Sequence, residues 1–77
     1  MKLIQILGPG CPRCEQLKKN AEEAAKLAGV EAMVEKITDI NQMTAFGVIM
    51  TPALVVDGEV KAAGRVLAPQ EIQKWLV

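Results

Sequence analysis

The stretch Gly8-Pro9-Gly10-Cys11-Pro12-Arg13-Cys14 does most to limit what this chain can become. It separates two different hydrophobic periods. Before it, Leu3 to Leu7 is apolar apart from Gln5, as in a strand buried on both faces. After it, apolar residues recur as Cys14, Leu17, Ala21, Ala24, Ala25 and Ala28, the stripe of an amphipathic helix. The stretch is therefore a strand-to-helix turn, with Gly8 and Gly10 allowing a sharp bend. Cys11 falls at the N-cap and Pro12 at the first helical position, where a missing N–H costs nothing. Glu15–Lys19 and Glu22–Lys26 pair on the outer face at i, i+4. Gly29 suits the position just past the end. The spacing predicts a helix over 12–28, its small alanine stripe packed closely on a sheet.

The other elements follow in order. Val30 to Ile37 reads as a strand, and Glu31, Glu35 and Lys36 place it at an edge. Thr38 or Asp39 can cap a short helix through Phe46, with Ile40, Met43 and Phe46 inward and Gly47 ending it. Ala53 to Val56 and Val60 to Ala63 flank Asp57-Gly58, a two-residue hairpin signal. Pro69 opens a last helix with Ile72, Trp75 and Leu76 inside. The order is β-α-β-α-β-β-α. A helix joins the first two strands, so they run parallel through a right-handed crossover. The last two form an antiparallel hairpin. The expected architecture is α/β: a four-stranded mixed sheet flanked by three helices. Met33 and Met43 are expected as core filler, Trp75 as packing and Arg65 as a solvated turn residue.

A chain of 77 residues makes one small domain, expected over 1–77. A Cys11–Cys14 bridge closes too short a loop to staple it, about 2 kcal/mol in the chain-entropy picture. Packing must supply the stability, and a composition 51% hydrophobic allows it. Nine basic and nine acidic residues cancel, which leaves no footprint for nucleic acid or an anionic membrane. Phe46 and Trp75 are too few aromatics for a base-stacking platform. Met1-Lys2 leads into a short apolar run broken by Gly-Pro-Gly, unlike a signal peptide. No stretch nears the roughly 20 apolar residues of a membrane span. The expectation is a cytoplasmic monomer in which a thiol–disulfide pair is transient rather than structural.

A thiol attacks a disulfide as its thiolate, and an unperturbed cysteine is mostly protonated at neutral pH. A helix N-terminus favours the thiolate through its unsatisfied N–H groups and its dipole. Cys11 is placed to use both, and Arg13 adds positive charge to the same turn. Cys14 heads the buried stripe. Cys11 is thus expected as the exposed nucleophile and Cys14 as the resolving thiol. A pair of inert buried thiols is the plainer alternative. A structural zinc site would need more ligands than two cysteines and no histidine provide. A copper(I) carrier needs only two thiolates.

Gly10-Cys11-Pro12-Arg13-Cys14 after the first strand, Gly47-Val48, Thr51-Pro52-Ala53-Leu54-Val55, Asp57-Gly58 and Gly64-Arg65 together resemble the thioredoxin/glutaredoxin superfamily. The narrower resemblance is to the small thioredoxin-like redox-active disulfide proteins of bacteria and archaea, over nearly the whole chain. It implies a minimal thioredoxin (glutaredoxin-like) fold and a reversible Cys11–Cys14 disulfide with no other cofactor. It also implies a cis Thr51–Pro52 bond beside that disulfide, with the Thr51 backbone pairing an extended substrate segment. Val48, Ile49 and Met50 read either as core packing or as an apolar rim that docks partners. Departures are visible too. Gly10 stands where thioredoxins carry Trp, the first strand lacks their buried acid, and Ala63-Gly64-Arg65-Val66 lacks the acidic glutathione contacts of glutaredoxins. The resemblance therefore implies reduction of protein disulfides, driven by a thioredoxin-reductase-type donor rather than glutathione.

Two competing functions use the same cysteines: a soft-metal (copper) carrier and a redox-sensing interaction module. Heavy-metal-associated domains also set C-x-x-C before a helix, but with a Met-x-Cys lead-in and β-α-β-β-α-β order. Here the lead-in is Gly-Pro-Gly, Thr51-Pro52 precedes the hairpin, and the chain ends in a helix.

Overall fold

The structure, a computed structural model, describes residues 2–8, 12–48 and 50–76. Cys11 lies outside the described residues, as do Pro9, Gly10 and Ile49. The elements are β1 (Lys2–Leu7), α1 (Pro12–Ala28), β2 (Ala32–Ile37), α2 (Ile40–Ala45), β3 (Ala53–Val56), β4 (Glu59–Ala63) and α3 (Pro69–Gln73). The four strands form one sheet in the order β2-β1-β3-β4. β1 runs parallel to β2 and antiparallel to β3, and β3 pairs antiparallel with β4. This is the α/β arrangement of mixed sheet and three helices that the sequence predicts, with β2 at an edge.

Strand alternation divides the core in two. Ile4 and Ile6 of β1 pair with Val56 and Leu54 of β3. These side chains pack with Leu17, Ala21, Ala24 and Ala25 of α1 and with Ile72 and Leu76. On the other face Leu7, Ala53 and Val55 meet Met43 of α2 and Val48. The alanines of α1 let its axis approach the sheet closely. Trp75 is part-buried against the larger cluster, as expected of packing. Among the described residues, no helix is long and apolar enough to cross a membrane.

The ends of the helices explain where the boundaries fall. Gly29, at φ 68°, closes α1. Its N–H donates to the Lys26 carbonyl and that of Val30 to the Ala25 carbonyl, each at 3.2 Å. This is a Schellman ending. It draws Val30 into the helix terminus, so β2 starts at Ala32 rather than at the expected Val30. α2 starts at an Asp39 cap whose Oδ1 accepts from the Asn41 N–H at 2.8 Å. It ends in the same way as α1: Gly47 N–H donates to Thr44 O at 2.9 Å and Val48 N–H to Met43 O at 3.1 Å. Asp57 and Gly58, at φ 49° and 86°, turn the hairpin, as a type I′ turn requires. β4 begins at Glu59, one residue before its predicted start, because Glu59 still pairs with Val56.

Two expectations about burial fail. Met33 is 50% exposed rather than core filler, and Ile40 is 75% exposed rather than inward. The cause is the length of α2. Its Met43 packs with Leu7, Ala53 and Val55, while Met33 on β2 and Ile40 in its own first turn stay exposed.

Candidate functional site

Pairing of Leu7 with Ile37 and Ala53, and of Ala53 with Ala63, lines up one end of the sheet. Three residues stand just beyond that row: Gly8 after β1, Pro52 before β3 and Gly64 after β4. Gly8 N–H still donates to Ile37 O at 2.9 Å, and Gly64 N–H donates to Pro52 O at 2.8 Å. α1 begins at this same end.

Cys14 lies in the first turn of α1 and is wholly buried. Its sulfur rests on Gly8. A Cβ placed on Gly8 would overlap Cys14 Sγ outright, would stand 3.3 Å from Cys14 Cβ and 3.9 Å from Pro52 Cα. Cys14, Gly8 and Pro52 are therefore one packed unit, although Cys14 and Pro52 are far apart in the chain. The Thr51–Pro52 peptide is cis. Pro52 is buried and Thr51 half-buried.

The outer part of the site is assembled on Gly64. Arg13 Nη2 donates to the Gly64 carbonyl at 3.1 Å. Met50 lies over the Gly64 α-carbon, where its Cε would be 2.9 Å and its Cβ 3.2 Å from an added Cβ. Met50 is 59% exposed, whereas Val48 is buried. The apolar run before Thr51 thus splits: Val48 packs in the core and Met50 stands on the surface at the site. Pro12 is exposed at the first position of α1. Glu15 in that turn is bonded to Lys36 of β2. The Lys36 hydrogen bond, and then its charge, hold the Glu15 carboxyl below the usual glutamate range. Arg65, expected as a solvated turn residue, is exposed but ion-paired with Glu71 at 3.1 Å.

Pro12, Arg13, Cys14, Met50, Thr51 and Pro52 are thereby brought to one end of the molecule. The roles of Gly8 and Gly64 are the part that sequence reasoning misses. Both read as loop glycines, and no local pattern reveals a sulfur above one or a methionine above the other. Among the described residues, no group of three or more His, Cys, Asp or Glu side chains is arranged to hold a metal ion.

The family model described as a thioredoxin domain matches residues 2–77. A thioredoxin of Methanothermobacter thermautotrophicus is 47% identical over 76 residues, covering 99% of this chain and 99% of its own. A thioredoxin of Methanocaldococcus jannaschii is 33% identical over 76 residues, covering 99% of this chain and 87% of its own. Matched by the family model over residues 2–77 and by both relatives over 99% of its length, the chain belongs to the thioredoxin family, a family of thiol–disulfide oxidoreductases in general.

Proposed function

We propose that this protein reduces disulfides of other proteins by dithiol exchange, with Cys11 as nucleophile and Cys14 as resolving thiol. The observation that carries the reading is the seat of Cys14: a buried sulfur in the first turn of α1, resting on Gly8 beside Pro52. A thiol held there is shielded from an incoming substrate, yet stands only three residues from Cys11 in sequence.

The steps balance as follows. The Cys11 thiolate attacks one sulfur of a substrate disulfide, forms a mixed disulfide and expels the other substrate sulfur as thiolate. The Cys14 thiolate then attacks the Cys11 sulfur, closes Cys11–Cys14 and expels the second substrate thiolate. The substrate gains two electrons, and the two thiol protons pass through solvent to the released thiolates. The N-terminus of α1, begun by Pro12 and carrying Arg13, favours negative charge at residue 11. Met50, Thr51 and Pro52 form the groove, in which the Thr51 backbone pairs an extended substrate segment. The reversible Cys11–Cys14 disulfide serves as the redox group. A thioredoxin-reductase-type donor, rather than glutathione, is the expected source of electrons that restores the dithiol. The protein acts as a cytoplasmic monomer, with residues 1–77 as one domain.

Insulin reduction with a chemical reductant, run beside a pH titration of the Cys11 thiolate, tests the reading. Turnover and a Cys11 pKa below that of an ordinary thiol are expected. Cys14→Ser should trap substrate as a mixed disulfide, and Cys11→Ser should trap nothing. Untouched insulin with an ordinary Cys11 pKa rejects the function, and the reverse trapping pattern rejects the assignment of roles.

A further inference from the structure

We infer that Gly8 is a positioning residue for the resolving step: its missing side chain is the space that holds Cys14 Sγ in the attacking orientation. The inference rests on the reading of Cys14 as resolving thiol.

Backbone conformation does not explain this glycine. Gly29, Gly47, Gly58 and Gly64 all adopt positive φ, where L side chains are strained, but Gly8 does not. Its φ therefore imposes no need for glycine. Its N–H and its neighbour Leu7 continue the β1–β2 pairing, through Ile37 O and Ile37 respectively. What an added methyl group would meet is the sulfur of Cys14, by outright overlap, with Cys14 Cβ at 3.3 Å and Pro52 Cα at 3.9 Å. The rest of α1 is fixed by Leu17, Ala21 and Ala24, all wholly buried. Such a helix cannot retreat from a single methyl, so the sulfur must rotate about Cα–Cβ into another well. Gly8 thus selects the rotamer of Cys14. The attack of one sulfur on another depends steeply on that placement, since an error near 1 Å can slow an oriented intramolecular step by about a hundredfold.

The test separates the two exchange steps with 5,5′-dithiobis(2-nitrobenzoate) as probe. Cys11 attacks the reagent, forms a mixed disulfide and releases one thionitrobenzoate. Cys14 then attacks Cys11, closes the protein disulfide and releases the second. Each release is read as absorbance in one stopped-flow trace. In Gly8→Ala the first release should keep its rate within about twofold, while the second slows by about tenfold or more. An unchanged second phase overturns the inference, and so does an equal slowing of both phases. Loss of the second release in Cys14→Ser checks the underlying reading. If Cys14→Ser still gives it, that reading fails and the inference falls with it, whereas an unchanged second phase in Gly8→Ala alone overturns only the role of Gly8. Stability supplies the second arm. The cost of Gly8→Ala should shrink when Cys14 is also Ala, because no sulfur then meets the new methyl. An equal cost in both backgrounds, or failure of both to fold, assigns Gly8 to the backbone alone and overturns the inference.

Discussion

Arg13 and Gly64 are joined across the site end of the molecule, Arg13 Nη2 donating to the Gly64 carbonyl at 3.1 Å. The N–H of the same glycine donates to Pro52 O at 2.8 Å. The start of α1, the end of β4 and the entry to β3 are thus tied through one residue. Removing the guanidinium in Arg13→Ala should cost about 1 kcal/mol in urea unfolding, a low value for a charged donor because the bond is exposed. Arg13→Lys keeps the charge but loses the planar fork that fits the carbonyl. It should therefore show a similar loss of stability while keeping more of the insulin-reduction rate than Arg13→Ala. Equal activities in the two variants would mean that the charge of Arg13 has no part in exchange.

Gly64 is required for two reasons that can be measured separately. Its φ is 76°, where an L side chain costs roughly 1–2 kcal/mol. Its α-carbon also lies under Met50, with Cε 2.9 Å and Sδ 3.6 Å from the position of an added Cβ. Gly64→Ala should lower stability by at least the backbone amount and shift Met50. Met50→Ala in the same chain should recover the part due to Cε and Sδ and leave the parts due to φ and to the retained Cβ at 3.2 Å. Full recovery would deny the backbone cost, and no recovery would deny the contact.

The order of elements was legible because local signals and tertiary needs agree. The alanine stripe of α1, Asp57-Gly58 and Pro69 each have one good structural use, and each is used so. Met33 and Ile40 were misread for a shared reason. Hydrophobicity reports what a side chain favours, while burial depends on what covers it: Met33 on β2 is 50% exposed, and Ile40, in the first turn of the short α2, is 75% exposed. Of the candidate site residues, Pro12, Arg13, Cys14, Met50, Thr51 and Pro52 are brought to one end of the fold, and Cys11 lies outside the described residues. The internal contacts of the site were not legible. Nothing in a linear pattern says that Gly8 touches Cys14, or that Arg13 reaches Gly64 rather than solvent.

Close approach of α1 to the sheet depends on small side chains. Ala21 and Ala24 are wholly buried among Ile4, Ile6, Leu54 and Ile72. Ala21→Leu should destabilise by about 1–3 kcal/mol through overpacking. Leu17→Ala, on the same stripe, should cost about 2–5 kcal/mol through lost burial and a cavity. Both are read from urea midpoints. A neutral Ala21→Leu would show that α1 can stand off from the sheet without loss.

Acid should weaken the fold through the hairpin that clamps β1. Asp57 Oδ1 accepts from the Leu3 N–H at 2.9 Å, and its other oxygen lies 3.4 Å from Lys2 Nζ. The Leu3 hydrogen bond holds the Asp57 carboxyl below the usual aspartate range; desolvation, the next effect in size, opposes it, and Lys2 adds smaller lowering contributions. A carboxyl with a lower pKa folded than unfolded stabilises fully above its unfolded pKa, and that contribution fades as pH falls through the folded value. Glu15, lowered by Lys36, contributes with the same sign. Asp57→Asn keeps a side-chain oxygen for Leu3 and tolerates the positive φ of the turn, but carries no charge. The variant should be less stable than the parent at neutral pH, and the gap should close as pH drops below the ordinary aspartate range. Thermal midpoints across a pH series measure this. A gap that stays constant into acid would show that the Asp57 charge does not hold the strand.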